Sequence, residues 1–314
     1  MRAAMPSGSS PRRLLSSVRN EYSAWVLSTF MLGSKNFSSL PFYYVDLAAN
    51  EPVDGSNTLE LEQYGWNGLC IEPNPHYVTL LRDQRRCALA PVAIDDVERD
   101  IKFHNDGTMG GIQDARFDNR VGTKDLQAMR TRLLQDVLRE ASAPHVIHYL
   151  SLDVEGAESA ALPDSFAWDD YIFLTLSIER PPPDLNRRLF RHGYLFVRRI
   201  GIADALYVHW THPNAAKVSA NASFAQAPAK CSNGRGTHYR DREPLQRVQC
   251  KSSFGCCSWW GFPESSTKYM GAIAGRKVPQ WYEVPIRQRR PVPKATHKNK
   301  EGLFSRFWSW LSGR

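Results

Sequence analysis

The sequence predicts an α/β domain built on a doubly wound, mostly parallel seven-stranded sheet, with an irregular C-terminal extension. Three observations carry this. Between about residues 40 and 212, short apolar runs alternate with stretches of helical spacing, the pattern of a parallel sheet covered by helices on both faces. Three of those runs close on a carboxylate, Asp46, Glu72 and Asp153, at what this alternation makes a common sheet edge. The 314 residues are 42% hydrophobic and 11% aromatic, enough to bury a sizeable core and to exclude a wholly disordered chain.

Taken in order, residues 1–17 are rich in Ser, Pro and Arg and read as a disordered basic leader. Ala24 to Leu32 is apolar but much shorter than the roughly 20 residues a spanning helix needs. It fits a helix packed on the domain, and equally a short signal core or anchor. Phe42 to Leu47 reads as a buried strand. Asn57 and Thr58 are expected to cap a short helix that runs to Gln63 and stops at Gly65. "GLCIEPN" is the second strand, and "PHYVTLLRDQRR" a helix with Asn74 as cap and Pro75 at its first position. "LAPVAIDD" and "IKFHN" are further strand candidates, and "NDGTMGGIQD" a glycine-containing loop suited to a lid.

Lys124 to Ala143 carries Leu126, Met129, Leu133, Leu134, Val137 and Leu138 at helical spacing and is expected to be one long crossover helix. "HVIHYLSLD" and "YIFLTLSIE" follow as strands, separated by a turn and helix start in "VEGAESAAL". "DLNRRLFRHG" is a short helix, and "YLFVRRI" and "DALYVHW" an antiparallel pair. The domain so delimited spans 18–212. Residues 213–284 read as an irregular extension holding Cys231, Cys250, Cys256 and Cys257, and 285–314 as a basic tail with an amphipathic aromatic end. The six cysteines include no CxxC pair and suit buried thiols or one or two disulfides, so they leave the redox compartment open. No residue is assigned to a metal.

The formal charge of +8 sits largely in the termini, for instance Arg12, Arg13, Arg287, Arg289 and Arg290. That placement fits solvated tails or peripheral contact with an anionic membrane, and argues against nucleic acid as the domain's ligand. Cytoplasmic and membrane-associated locations are both compatible with it.

The chemistry concentrates at the strand ends. A pyrophosphate-bearing cofactor needs a glycine-rich turn opening on a helix, whereas "DLAANEP" has no glycine and adds Glu51. Glu72, twenty-six residues after Asp46, has the place and chemistry to accept hydrogen bonds from ribose hydroxyls. A nucleoside cofactor with a cationic tail fits both facts, and S-adenosyl-L-methionine is the obvious one. An NAD(P)-dependent oxidoreductase shares the strand-acid spacing but lacks its phosphate turn.

Four stretches in order, "YYVDLAANEPVDGSNTLELEQYGWNGLCIEPNP", "IHYLSLDVEGAESAAL", "LSIERP" and "HGYLFVRRIGIADALYVH", resemble the FkbM-type family of S-adenosylmethionine-dependent methyltransferases over about residues 42–210. The resemblance implies a class I methyltransferase fold and transfer of methyl to a hydroxyl oxygen of a glycan or small metabolite. It implies that Asp46, Ala48, Asn50, Glu51, Asn57, Glu72, Pro73 and Asp95 serve the cofactor. Asp153 would serve cofactor and reacting end alike, with Glu155 the preferred base and Glu179 beside it. Glu158 is a further candidate in or beside the cleft, and His76, His104 and His148 are weaker ones, His148 being expected to support its strand. One position departs from the family: members usually have glycine where this chain has Ala48. If that turn needs a positive φ, alanine weakens binding, and a catalytically inactive interaction protein becomes the alternative reading.

Overall fold

The computed structural model describes residues 18–31, 42–119, 125–200 and 204–220. The basic leader, the four C-terminal cysteines and the aromatic tail lie outside these residues. Seven strands form the main sheet in the order β3-β2-β1-β7-β8-β10-β9. They are β1 (Tyr43–Leu47), β2 (Asn67–Ile71), β3 (Ala88–Ala90), β7 (Val146–Leu152), β8 (Ile172–Glu179), β9 (Tyr194–Ile200) and β10 (Asp204–His209). Pairings from β3 to β8 are parallel; β10 runs antiparallel to both β8 and β9. The chain therefore winds outward from β1 to β3, then returns to lay β7 on the other side of β1. A crevice opens at such a reversal, outside the C-terminal strand ends.

The central strands are buried on both faces, which is why their sequences are nearly continuous apolar runs. Tyr44 pairs across the ladder with Gly68, where a Cβ would lie 2.2 Å from the tyrosine ring, so only glycine admits that ring. Helix α1 (Glu21–Met31) packs as an N-terminal helix of the domain: Phe30 meets Phe42, Trp66 and His148 edge-on or tilted. His148 Nδ1 accepts from the Tyr43 amide at 3.1 Å, a strand-supporting role. No helix among the described residues is long and apolar enough to cross a membrane.

Helix α2 (Leu59–Gln63) forms as expected but its cap differs. The Thr58 hydroxyl turns inward to Asp46, and Ser56 Oγ accepts from the amides of Thr58 and Leu59 instead. Helix α3 (Pro75–Gln84) has the expected cap, with Asn74 accepting from the His76 amide. Cys70 and Cys87 are joined by a disulfide that ties β2 to the approach to β3, across α3.

Three expectations are corrected. "LAPVAIDD" is a strand only over β3, because Pro91 has no N–H to continue the ladder; beyond it only Ile94 makes a bridge, to Arg132. "IKFHN" becomes β4 (Asp100–His104), but outside the main sheet. It pairs antiparallel with β5 (Gly111–Ile112) and β6 (Leu126–Arg130) in a separate three-stranded sheet. That β6 replaces the first part of the expected crossover helix, and only α4 (Leu134–Glu140) is helical. Leu126 and Met129, three apart, fit the helical period and fall on opposite faces of a strand, so pairing with β4, Ile101 opposite Met129, overrides the local pattern.

The remaining helices are α5 (Glu158–Ala161), α6 (Pro183–Arg191) and α7 (Ala215–Ala220). The last shows that the start of the supposed irregular extension is helical. The small sheet buries Ile101, Phe103 and Ile112 against Ala157 and Ala160, which brings it over the C-terminal ends of β1, β2 and β7.

Candidate active site

A cleft open to solvent lies at that edge. Leu47, Ala48 and Asn50 line it from the end of β1, Glu72, Pro73 and Asn74 from β2, and Asp153 and Val154 from β7. Val92, Ala93, Ile94, Phe103 and Ile112 make an apolar wall. The expected lid contributes Gly107, Thr108, Gly110 and Gly111. Among the described residues, no lysine or arginine lines it.

On the β1–β2 side, the main chain does the shaping. Ala48 and Asn50 have φ of 64° and 53°, left-handed values that L-residues adopt at a cost. The amides of Ala48 and Ala49 both point at Ile71 O, at 2.9 and 3.2 Å, which holds the turn against β2. Glu72 donates its amide to Ala90 O; Pro73 then ends the ladder. The Glu72 carboxylate accepts from two backbone amides, Asn50 N at 2.9 Å and Asn74 N at 2.8 Å, one on each oxygen. Burial raises its pKa to about 7, against the lowering effect of those amides. Asn50 Nδ2 donates to Thr108 O of the lid at 3.3 Å, while its Oδ1 is buried without a partner.

On the β7–β8 side, carboxylates face one another. Asp153, Glu155 and Glu179 each offer an oxygen within 4.8 Å of the others. Burial, then Glu179, Glu155 and Glu158, hold the Asp153 carboxyl well above the usual range. Glu155 is raised to about 7, by burial and Glu179 against the opposing effect of Arg180. Glu158, wholly buried, is raised to about 8 although it accepts from the Val154 and Gly156 amides. The turn between them is tight: Glu155 has φ 52° and Gly156 φ 94°. A Cβ on Gly156 would lie 2.7 Å from Asp118 N, so glycine is required there for space as well as conformation.

The structure brings together Ala48, Asn50, Glu72, Pro73 and Asp153 of the residues singled out in the sequence. Glu155 and Glu179 stand beside Asp153 but do not line the cleft; both are hydrogen-bonded to Arg180. Asp46 points away from it. Thr58 Oγ1 donates to Asp46 at 2.5 Å, and Arg85 in turn bonds Thr58, Tyr44, Ser56 and Glu62. This buried network braces the loop behind the Ala48 turn. Asn57 faces Ser151 and Asn20, and Glu51 is absent from the lining. Asp95 is engaged by Arg99 at 2.7 Å and Arg116 at 3.2 Å, so the preceding Val92–Ile94 make the contact surface instead. His76 is exposed and His104 leans on Asn119. Phe103 and Arg180 were not singled out; the hydrophobic alternation of "IKFHN" was the available signal for the first.

An open parallel sheet, a cleft at its switch point and carboxylates at the strand ends define the class I methyltransferase-like architecture. Residues 46–201 match the family model of the methyltransferase FkbM domain, and this part of the chain is a methyltransferase domain of that type. Comparison with curated proteins and with solved structures gave no significant match.

Proposed function

We propose that the domain binds S-adenosyl-L-methionine and transfers its methyl group to a hydroxyl oxygen of a glycan or small metabolite. The observation that carries this is the grip on Glu72: two backbone amides hold its carboxylate in the wall of a cleft whose described lining residues include no lysine or arginine. A fixed carboxylate is a receptor for the two hydroxyls of a ribose. The lack of a basic group among those residues, and of glycine in the turn that follows β1, disfavours a pyrophosphate, and with it NAD(P). The orphan Oδ1 of Asn50 suits an ammonium donor, and Val92, Ile94 and Phe103 suit a flat base. Bound there, the cofactor would supply a sulfonium methyl open to in-line attack.

Asp153 is the residue we assign to the acceptor proton, in preference to Glu155, because it lines the cleft while Glu155 is turned to Arg180. Glu179, with an oxygen within 4.8 Å of it, opposes charge on Asp153 and so makes it the readier proton acceptor. Alignment and removal of water fall to the lid and the apolar wall. Ala48 supports a second reading, a domain that keeps the fold but binds cofactor poorly, since its φ of 64° is one that glycine takes more readily. Incubation with methyl-labelled cofactor and a hydroxyl-rich metabolite and glycan mixture, read by mass spectrometry, separates the two. Label on oxygen is expected; label on nitrogen or carbon, or none from a folded protein, contradicts the proposal.

A further inference from the structure

Arg180 follows β8 directly, at φ 38°, and its guanidinium joins three segments that are distant in sequence. Nη1 meets Asp118 Oδ2 at 2.9 Å, in the stretch that leads away from the lid. Nη2 meets Glu155 Oε2 at 2.8 Å and Glu179 Oε2 at 2.9 Å. Asp118 N also donates to Glu155 O at 3.4 Å, so the same two loops touch through the main chain. The arrangement is a fan of carboxylates around one planar fork, a geometry that guanidinium serves and ammonium does not.

The groups around this fork are numerous and mostly of one sign. Glu155 meets it from the β7–α5 turn, Glu179 from β8 and Asp118 from the lid side, and Asp153 and Glu158 in turn feel the charge of Glu179. Beyond Glu179, Asp204 of β10 is hydrogen-bonded by Tyr22 of α1 and is also influenced by Arg199 of β9. Like charges this close cannot all ionise at once. How many protons the group keeps at neutral pH, and where, depends on the cation in its midst.

We propose that Arg180 is a positioning residue: it fixes Glu155 and Glu179 in this fan, fastens the lid side through Asp118, and so leaves Asp153 as the carboxylate turned to the acceptor. The role rests on the methyl-transfer reading of the same cleft. Arg180 touches neither cofactor nor acceptor in it; it acts through the carboxylates. Without the guanidinium, Glu155 and Glu179 would lose their common partner, and no cation would offset the crowding of carboxylates around Asp153.

The test uses the full chain with carboxyl-labelled Asp and Glu and follows their carbon resonances through a pH titration, alongside Arg180→Met and Arg180→Lys. In Arg180→Met, Glu155 is expected to titrate at least about one pH unit higher than in the parent, the size of effect a neighbouring charge produces. Arg180→Lys, which keeps the charge, should move it less and remains informative if the methionine variant does not fold. Once an acceptor is in hand, the rising limb of methyl transfer against pH should shift the same way, with activity recovered at high pH. Unmoved carboxyl titrations in both variants, or a loss of activity equal at every pH, would overturn the assignment. Failure of the parent to bind S-adenosylhomocysteine would instead remove the methyl-transfer reading, and the carboxyl titrations would still decide what Arg180 does to its neighbours.

Discussion

On the β1–β2 side of the cleft, Glu72 has both oxygens filled by main-chain amides, whereas on the β7–β8 side Asp153, Glu155 and Glu179 are held by one another and by a side-chain cation. Both sides place acids at strand ends of one sheet. The first arrangement fixes direction, because backbone donors cannot swing away or lose their protons. The second fixes a proton count, because each carboxylate resists the charge of the next. A binding contact calls for the first and a proton acceptor for the second, so the contrast itself suggests which half holds the cofactor and which meets the acceptor.

Four changes break or sharpen that contrast, the largest effect first. Asp153→Asn should slow methyl transfer by about 10²- to 10⁴-fold, the usual contribution of a positioned base. Its affinity for S-adenosylhomocysteine should stay close to the parent's, and a parallel fall in affinity would move Asp153 to the cofactor half.

The second change is in pH. Glu158 is raised from 4.5 to about 8, and Glu72 and Glu155 to about 7. Each folded-state value lies above the unfolded one, so between about pH 4.5 and 8 the folded chain binds more protons, and stability falls as pH rises. For the fully buried Glu158 the loss should be roughly 2 to 4 kcal/mol by pH 8. Urea midpoints measured at pH 5 and pH 8 should show it, and Glu158→Gln should flatten the difference; a flat parent would mean that the acidic half is not charge-crowded in solution.

On the other side, Glu72→Ala should weaken S-adenosylhomocysteine binding by roughly 1.5 to 3 kcal/mol, the range for hydrogen bonds to a charged group. Its pH profile of turnover should keep its shape, since this half is not where the proton goes. The smallest effect belongs to Ala48→Gly. Relief of the left-handed alanine, less the added freedom of the unfolded chain, should raise stability by about 0.5 to 1 kcal/mol. A gain in affinity of tenfold or more, measured calorimetrically, would show that the natural turn is compromised as a binding element.

Much of the fold was legible because its central strands are buried on both faces and so spell themselves as apolar runs. The helix expected over Lys124 to Ala143 failed for a related reason. In a small, half-covered sheet the strand β6 carries no apolar alternation, Leu126 and Met129 keep a helical spacing, and long-range pairing to β4 overrides it. Within the site, Glu72 and Asp153 were legible as strand-end acids. Asp46 ended a strand in the same way, yet its neighbour Leu47 faces the cleft while Asp46 turns to Thr58; strand parity separates them. Asp95 was lost to Arg99 and Arg116, and Glu155 to Arg180, because ion pairs between distant segments leave no local pattern. Ala48 shows the opposite case: a single departure from a resemblance pointed to a backbone angle that the structure then displayed.

The central claim, that the β1–β2 half is a preformed receptor for S-adenosyl-L-methionine, is tested most directly by titration calorimetry of S-adenosylhomocysteine into the full chain at neutral pH. One-to-one, saturable binding to the parent, weakened in Glu72→Ala while Arg180→Lys stays near the parent value, is the expected result. Absence of binding by a parent chain that circular dichroism shows to be folded, or binding that Glu72→Ala leaves unchanged, would contradict the account.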